Sequence, residues 1–173
     1  MEFKNKKLEQ FEKDIENKKI AVIGMGVSNI PLIDYLHEKK ADVSVFDDRE
    51  ENKISKDILE KLKKYNFKYY FGKRNLDNLH GFYLIFRSPS CLPTKPELEK
   101  EAQRGAIITT EIEQLIKMAP CKVIGITGSD GKTTTTTLTA RILEDAVYKV
   151  YLGGNIGIPL FTKLNEIKPE DII

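Results

Sequence analysis

Two kinds of hydrophobic pattern alternate along the chain. Apolar residues three or four apart among charges predict amphipathic helices. Unbroken apolar runs of four or five, closed by glycine or acids, predict strands buried on both faces of a parallel sheet. Leu8, Phe11 and Ile15 predict a short helix over 5–16. Lys19 to Gly24 reads as a buried strand, and Gly24-Met25-Gly26-Val27-Ser28-Asn29 then leads into a helix with Pro31 in its first turn and Leu32, Ile33 and Leu36 on its face. A second strand, Asp42 to Phe46, ends in Asp47-Asp48-Arg49. Ile54, Ile58, Leu59 and Leu62 predict a helix, Phe67 to Phe71 a strand, and Phe82 to Phe86 a fourth strand that runs into Arg87-Ser88-Pro89-Ser90-Cys91-Leu92-Pro93. Residues 96–103 follow as a helix with Leu98 and Ala102 inward, Gly105 as its stop, and Ile107-Ile108 as a short last strand. This alternation is that of a doubly wound sheet.

A second unit begins near residue 109. Thr110-Glu111-Ile112-Glu113 has the form of a capping box ahead of Leu115, Ile116 and Met118. Beyond Pro120, Val123 to Ile126 reads as a buried strand, and Leu138, Ile142 and Leu143 keep helical spacing after Lys132. The threonines from Thr133 to Thr137 are poor helix formers, because β-branched side chains lose rotamer freedom there, so packing must support that helix. Lys149 to Leu152 is the next strand, a helix is predicted at 159–164, and Lys168 to Ile173 reads as a turn with two strand residues. The expected fold class is α/β: a Rossmann-like parallel sheet domain over 1–109, then the start of a P-loop α/β ATPase domain over 110–173. With two full strands after residue 120, the second domain is expected to be incomplete and the chain to be a fragment. Its unfinished sheet edge at 171–173 would invite self-association.

Composition narrows the class. Hydrophobic residues make up 40% and charged residues 31% of the 173, which suits a soluble globular protein with a core. A net charge of +2 without a basic stripe makes nucleic acid an unsuited partner. No apolar run marks a secretory signal or a membrane span, and Cys91 and Cys121 lack the companions of a disulfide framework or metal site. The expected location is the cytoplasm.

Three stretches carry candidate chemistry. In Thr127-Gly128-Ser129-Asp130-Gly131-Lys132-Thr133-Thr134, strand, glycine-containing loop, Lys-Thr and helix occur in phosphate-loop order. Loop N–H groups and the helix dipole would face phosphate oxygens, Lys132 would supply a charge, and the Thr133 hydroxyl would sit where Mg²⁺ binds. The strict spacing calls for glycine where Ile126 stands, so the loop is a variant, and the plain alternative is a glycine-rich strand-to-helix turn. Gly24 and Gly26, with Asp47 about twenty residues on, make most of a dinucleotide fingerprint, although Asn29 takes the third glycine's place. A packing unit with a tight turn and a solvated Asp47 is the alternative there. Gly153-Gly154-Asn155-Ile156-Gly157 follows a strand, where Asn155 either contacts a ligand or tolerates an unusual turn.

Together, Gly-Met-Gly-Val-Ser-Asn, Thr-Gly-Ser-Asp-Gly-Lys-Thr-Thr and Gly-Gly-Asn-Ile-Gly resemble the N-terminal portion of the Mur ligases, from about residue 18 onward. The Arg-Ser-Pro loop and Gly-Gly-Asn-Ile-Gly favour the branch that adds D-glutamate. The resemblance implies that ATP converts the carboxylate of UDP-N-acetylmuramoyl-L-alanine to an acyl phosphate, which the amine of D-glutamate displaces. It also implies ATP binding by Gly128, Ser129, Asp130, Gly131, Lys132, Thr133 and Thr134, with Lys132 catalytic and Thr133 on Mg²⁺. The UDP-substrate would meet Val27, Ser28, Asp47, Asp48, Ser88, Ser90 and Asn155. Asn29 and Ser90 stand where that family usually has glycine, so backbone reach at the UDP site is expected to differ. Family members continue well beyond the length of this chain, so the chain alone is expected not to form the amide bond. A nucleotide- or NAD-binding module with a vestigial P-loop, and an ordinary P-loop kinase, are the competing readings.

Overall fold

The computed structural model describes residues 3–26, 29–154 and 159–173. Two compact units emerge. One is Gln10–Glu113, and the other joins the chain up to Glu9 with Gln114–Ile173. The first residues therefore group with the later unit instead of opening the earlier one, and Asn5 gives the reason. Its buried side chain accepts the Leu8 N–H at 3.2 Å, capping helix α1 (Lys6–Ile15), and donates to the Met118 carbonyl at 2.9 Å. Met118 is the last residue of α5 (Glu111–Met118).

Within Gln10–Glu113, five parallel strands lie in the order β3-β2-β1-β4-β5, with β1 (Lys19–Ile23) central. β1 pairs with β2 (Asp42–Asp47) from Lys19↔Asp42 to Ile23↔Phe46, and with β4 (Leu84–Arg87) from Ile20↔Leu84 to Ile23↔Arg87. β3 (Lys68–Phe71) and β5 (Ile107–Thr109) close the two sides. Helices α2 (Asn29–Glu38), α3 (Lys56–Lys64) and α4 (Pro96–Gln103) occupy the crossovers, as parallel neighbours require. Ile20, Ala21, Val22, Val43, Val45, Phe46, Ile85 and Phe86 are all essentially inaccessible, the burial that continuous apolar strands encode. On one face Ala21, Ile23, Phe46 and Ile85 pack with Leu76, Leu79 and Leu98, and Phe46 stacks on Tyr70 at 5.0 Å.

One inward assignment on α4 changes. Ala102 is exposed, and Glu101 is buried at 1% exposure. The Glu101 carboxylate accepts the Gly81 N–H at 2.7 Å and Arg104 Nη1 at 2.6 Å, so backbone and guanidinium donors replace water around a buried charge. The capping box forms as drawn: Glu113 Oε2 accepts the Thr110 N–H at 2.9 Å, and Thr110 Oγ1 accepts the Glu113 N–H at 3.2 Å.

The later unit departs further from its expected elements. Val123–Ile126 is no buried strand, and Ile124 is 41% exposed. Parallel bridges join Ile172 to Lys122 on one side and to Val150 on the other. Ile172 N–H donates to Lys149 O at 3.0 Å and Ile172 O accepts from Tyr151 N–H at 2.8 Å. Ile173 N–H donates to Lys122 O at 3.0 Å and Ile173 O accepts from Ile124 N–H at 2.8 Å. The two terminal residues thus sit between the other segments, and 171–173 is not a sheet edge, because these backbone groups are already spent on both neighbours. Each pairing is a single bridge, too short to be a regular strand. The helix expected at 159–164 is a 3₁₀ turn, Phe161–Lys163, which turns Phe161 inward beside buried Leu160, Leu164 and Ile167. Helix α6 (Lys132–Asp145) forms despite its threonines. Thr136 Oγ1 donates to the Lys132 carbonyl at 2.7 Å, satisfying its own hydroxyl within the helix without strengthening it. No helix among the described residues is long and apolar enough to cross a membrane.

Replacing buried Ile172 by asparagine should cost at least about 2 kcal/mol through lost apolar burial and an unpaired amide. Hydrogen exchange at the Ile124 and Tyr151 amides should accelerate while β1 keeps its protection; unchanged exchange at both amides would show that the terminal residues do not hold these segments.

Candidate functional site

The strand order reverses at β1, since β2 lies on one side and β4 on the other. Outside the carboxyl ends of such strands, the diverging connections leave a crevice. A cavity of about 320 Å³ lies there, lined by Gly24, Met25 and Gly26 after β1, by Asp47, Asp48 and Arg49 at the end of β2, and by Ser88, Ser90, Cys91 and Lys95 after β4.

The loop after β1 is held open by two devices. Gly24 has φ +85°, and a β-carbon there would meet Ser88 Cβ and Oγ at 2.9 Å, so glycine is required both for conformation and for space. Asn29 is buried at the start of α2. Its Nδ2 donates to the Gly24 carbonyl at 2.7 Å and the Ile23 carbonyl at 3.2 Å. The Asn29 and Ile30 N–H groups both donate to the Gly26 carbonyl at 3.2 Å. The departure at Asn29 therefore adds hydrogen bonds that fix the loop's path.

Asp47 is only 4% exposed, and its carboxylate is surrounded by donors. Oδ2 accepts the Met25 N–H and Arg49 Nη2, both at 2.8 Å; Oδ1 accepts Arg49 Nε at 2.7 Å and the Arg49 N–H at 3.0 Å. Arg49 Nη2 also reaches the Met25 carbonyl at 3.3 Å. Burial pulls the Asp47 carboxyl upward, but the Arg49 guanidinium and the two backbone N–H groups outweigh it and hold the group below the usual carboxylate range. The result is a clamp between the β1 loop and the end of β2, with a guanidinium on the cavity wall. Ser88 and Ser90 pair through their hydroxyls at 3.0 Å, and the Ser88 N–H donates to the Ile23 carbonyl at 2.9 Å. Burial pushes the Cys91 thiol up, against the pull of Lys95 and Arg87.

The phosphate-loop residues form their own arrangement in the other unit. Gly131 caps α6 in the left-handed region at φ +74°, with no side-chain cap bond. The Thr135 N–H donates to the Gly131 carbonyl at 2.9 Å as the first turn closes, so the N–H groups of Lys132, Thr133 and Thr134 lie ahead of any intrahelical acceptor. Lys132 Nζ folds over the loop and donates to the Gly128 carbonyl at 2.6 Å and the Ser129 carbonyl at 3.1 Å. Ser129, Asp130, Thr133 and Thr134 are exposed. This geometry fits an anionic oxygen: orphan N–H groups, a dipole end and an ammonium share one exposed loop. Among the described residues no cluster of three or more His, Cys, Asp or Glu could hold a metal ion.

The structure thus brings Asp47, Asp48, Ser88 and Ser90 to one cavity and gathers 128–134 in one loop. Val27, Ser28 and Asn155 lie outside the described residues. Sequence reasoning missed Arg49, Lys95 and the structural part of Asn29. The signal for Arg49 was present, an arginine two places after a strand-terminal acid. Nothing local marked Lys95.

With this geometry in place, comparisons with known proteins decide the family. Residues 18–110 match the Mur ligase MurD-like N-terminal domain, and residues 126–171 match the Mur ligase middle domain. The chain belongs to the Mur ligase family. It is 47% identical over 167 residues to the UDP-N-acetylmuramoylalanine–D-glutamate ligase of Ruminiclostridium cellulolyticum, and 49% identical over 168 residues to that of Clostridium tetani. Each match covers 96% of this chain and 36% of the relative, so this Mur ligase sequence spans about a third of the length of those relatives. A pseudomurein peptide ligase type C from Methanothermus fervidus aligns at 30% identity and TM-score 0.47, over 90% of this chain and 32% of its own.

Two outcomes test this Mur ligase site. Asn29→Ala should destabilise the Gln10–Glu113 unit by about 1–3 kcal/mol in urea unfolding, because the Gly24 carbonyl loses its donor and the Ile23 carbonyl keeps only the Ser88 N–H; no change would mean that the loop does not need it. Asp47→Asn should cost about 2–3 kcal/mol at neutral pH. The carboxyl is depressed in the folded state, so its stabilisation is complete above about pH 4 and is lost as pH falls through the folded value. The gap between wild type and variant should accordingly narrow in acid, and a gap that stays constant down to about pH 2 would remove the charge from the account.

Proposed function

We propose that the chain carries the UDP-substrate site and the phosphate loop of an ATP-dependent ligase that joins D-glutamate to UDP-N-acetylmuramoyl-L-alanine in peptidoglycan precursor synthesis, a cytoplasmic reaction. The observation that carries this reading is the Asp47 clamp. A dinucleotide site uses its strand-terminal acid as a free acceptor for ribose hydroxyls. Here that acid is saturated by Met25 and Arg49, which favours a ligand read by a guanidinium and by loop N–H groups over NAD. The names of the relatives point the same way.

In this mechanism the cavity holds the nucleotide-sugar, with Asp48 and Arg49 toward the nucleoside, Asp47 holding Arg49, and Ser88 and Ser90 along the sugar; Val27 and Ser28, which the resemblance assigns to the diphosphate, and Asn155, which it assigns to the muramoyl part, lie outside the described residues. The backbone from Gly128 to Thr134 cradles the ATP phosphates. Lys132 leaves the loop carbonyls for the β- and γ-phosphates, where a fixed charge lowers the barrier to phosphoryl transfer. The Thr133 hydroxyl would hold Mg²⁺, which would supply positive charge against the phosphate oxygens. A substrate carboxylate oxygen takes the terminal phosphoryl group as ADP leaves. The D-glutamate amine then attacks the acyl carbon, phosphate departs with the bonding pair, and the nitrogen gives up a proton.

Calorimetric titration of the 173-residue chain should show binding of UDP-N-acetylmuramoyl-L-alanine and none of NAD, and the reverse result would sink the proposal. ADP should bind as well, and Lys132→Ala should weaken it by about tenfold or more through the lost charged contact.

A further inference from the structure

One residue on the cavity wall contradicts its local setting. Lys95 stands at the N-cap of α4, where serine, threonine, aspartate and asparagine are preferred because their side chains accept the first free N–H groups. Lysine has no acceptor to offer, and α4 has no side-chain cap bond. The position also puts a cation at the positive end of the helix dipole. Thr94, one residue earlier, has the chemistry of a cap and does not occupy the position. No ion pair among the described residues relieves the Lys95 ammonium. The acids of α4's first turn, Glu97 and Glu99, do not pair with it. Its charge is nonetheless felt at the buried Cys91 thiol, on the same cavity wall. Lys95 is exposed, so water solvates its ammonium; what singles it out is an unfavourable helix-end setting together with its place on the cavity wall, the kind of local conflict that functional sites carry.

The second cation of the cavity has the opposite status. Arg49 is spent on Asp47, and it enters from β2, on the other side of β1 from the β4 connection that carries Lys95. The acid Asp48 lies on the Arg49 side. Charge across the cavity is therefore uneven: a neutralised pair and an acid on the β2 wall, and an uncompensated ammonium on the β4 wall.

We propose that Lys95 is a ligand-binding residue, donating to the diphosphate of a nucleoside diphosphate bound in the cavity, with the nucleoside directed toward the β2 wall. This rests on the reading of the cavity as a UDP-substrate site. The diphosphate supplies the acceptor oxygens that the helix end lacks, and ligand binding relieves the conflict at the N-cap. Recognition by Lys95 is of charge, without the planar fork that Arg49 presents.

The test compares uridine and UDP as probes on the wild-type chain, Lys95→Met and Lys95→Arg, by calorimetry with thermal unfolding alongside. For Lys95→Met, UDP affinity should fall by about ten- to thirty-fold, the loss of a hydrogen bond to a charged group, and its dependence on salt should weaken. Uridine affinity should stay within about twofold, and Tm should hold or rise because a cation leaves the helix N-terminus. Lys95→Arg should keep most of the UDP affinity. Equal losses for uridine and UDP would make Lys95 a shaper of the cavity and overturn the proposal, as would unchanged UDP binding by Lys95→Met. A wild-type chain that binds no UDP at all would remove the UDP-site reading itself, an outcome separate from a wild type that binds UDP with Lys95 indifferent to it.

Discussion

The parallel pairing of β1 on both of its edges is the constraint on which the cavity at the strands' carboxyl ends depends. Parallel neighbours need crossover connections, helical after β1, β2 and β4 and carrying only a 3₁₀ turn after β3, so every strand leaves the sheet at the same end. That end collects Gly24–Gly26, Asp47–Arg49 and Ser88–Lys95 from three strands far apart in sequence. The apolar content of β1, β2 and β4 serves the site indirectly. Strands buried on both faces are close-packed against side chains above and below, so a shift of register would disturb both layers, and the loops inherit that rigidity.

Polar groups at the strand ends then set the shape of the crevice. The Asp47 carboxylate and the Asn29 amide are buried and the Arg49 guanidinium is exposed; Asp47 and Arg49 bind each other and each reaches Met25 once, while Asn29 donates to Ile23 and Gly24. Asn29 illustrates how a missing glycine can be compensated. A third glycine lets helix and strand approach closely; here a carboxamide occupies that space and ties the same segments together by donation to Ile23 and Gly24. Saturating Asp47 has a functional side too. The acid no longer offers itself to a ligand, and it presents Arg49 in its place.

The phosphate loop is built by different means. Among the described residues no sheet of comparable depth stands behind it, since Lys122, Val150 and Ile172 meet through single bridges. Its order comes from the chain itself. Gly131 turns into the left-handed region, α6 begins at once, and Lys132 binds back onto Gly128 and Ser129. A lysine that caps its own loop keeps the loop in shape while remaining on a flexible stem, ready for a stronger anionic partner.

The sequence by itself determined most elements of the Gln10–Glu113 unit and the place of the phosphate loop. Strand runs, helical spacing, the capping box at Thr110–Glu113 and the Gly-Lys-Thr order are local: each depends on residues a few positions apart. What only the tertiary structure decided involves groups distant in sequence. Asp47 meets Met25 because β2 lies beside β1; Asn5 reaches Met118 across most of the chain; Glu101, not Ala102, turns inward because Gly81 and Arg104 can satisfy it. The apolar run at Val123–Ile126 shows the same limit from the other direction. Hydrophobicity can ask for burial, but a strand is buried only where neighbours cover it, and those neighbours are fixed by the fold. Arg49 was visible as a residue and invisible as a wall of the cavity, since its role exists only once β1 and β2 stand side by side.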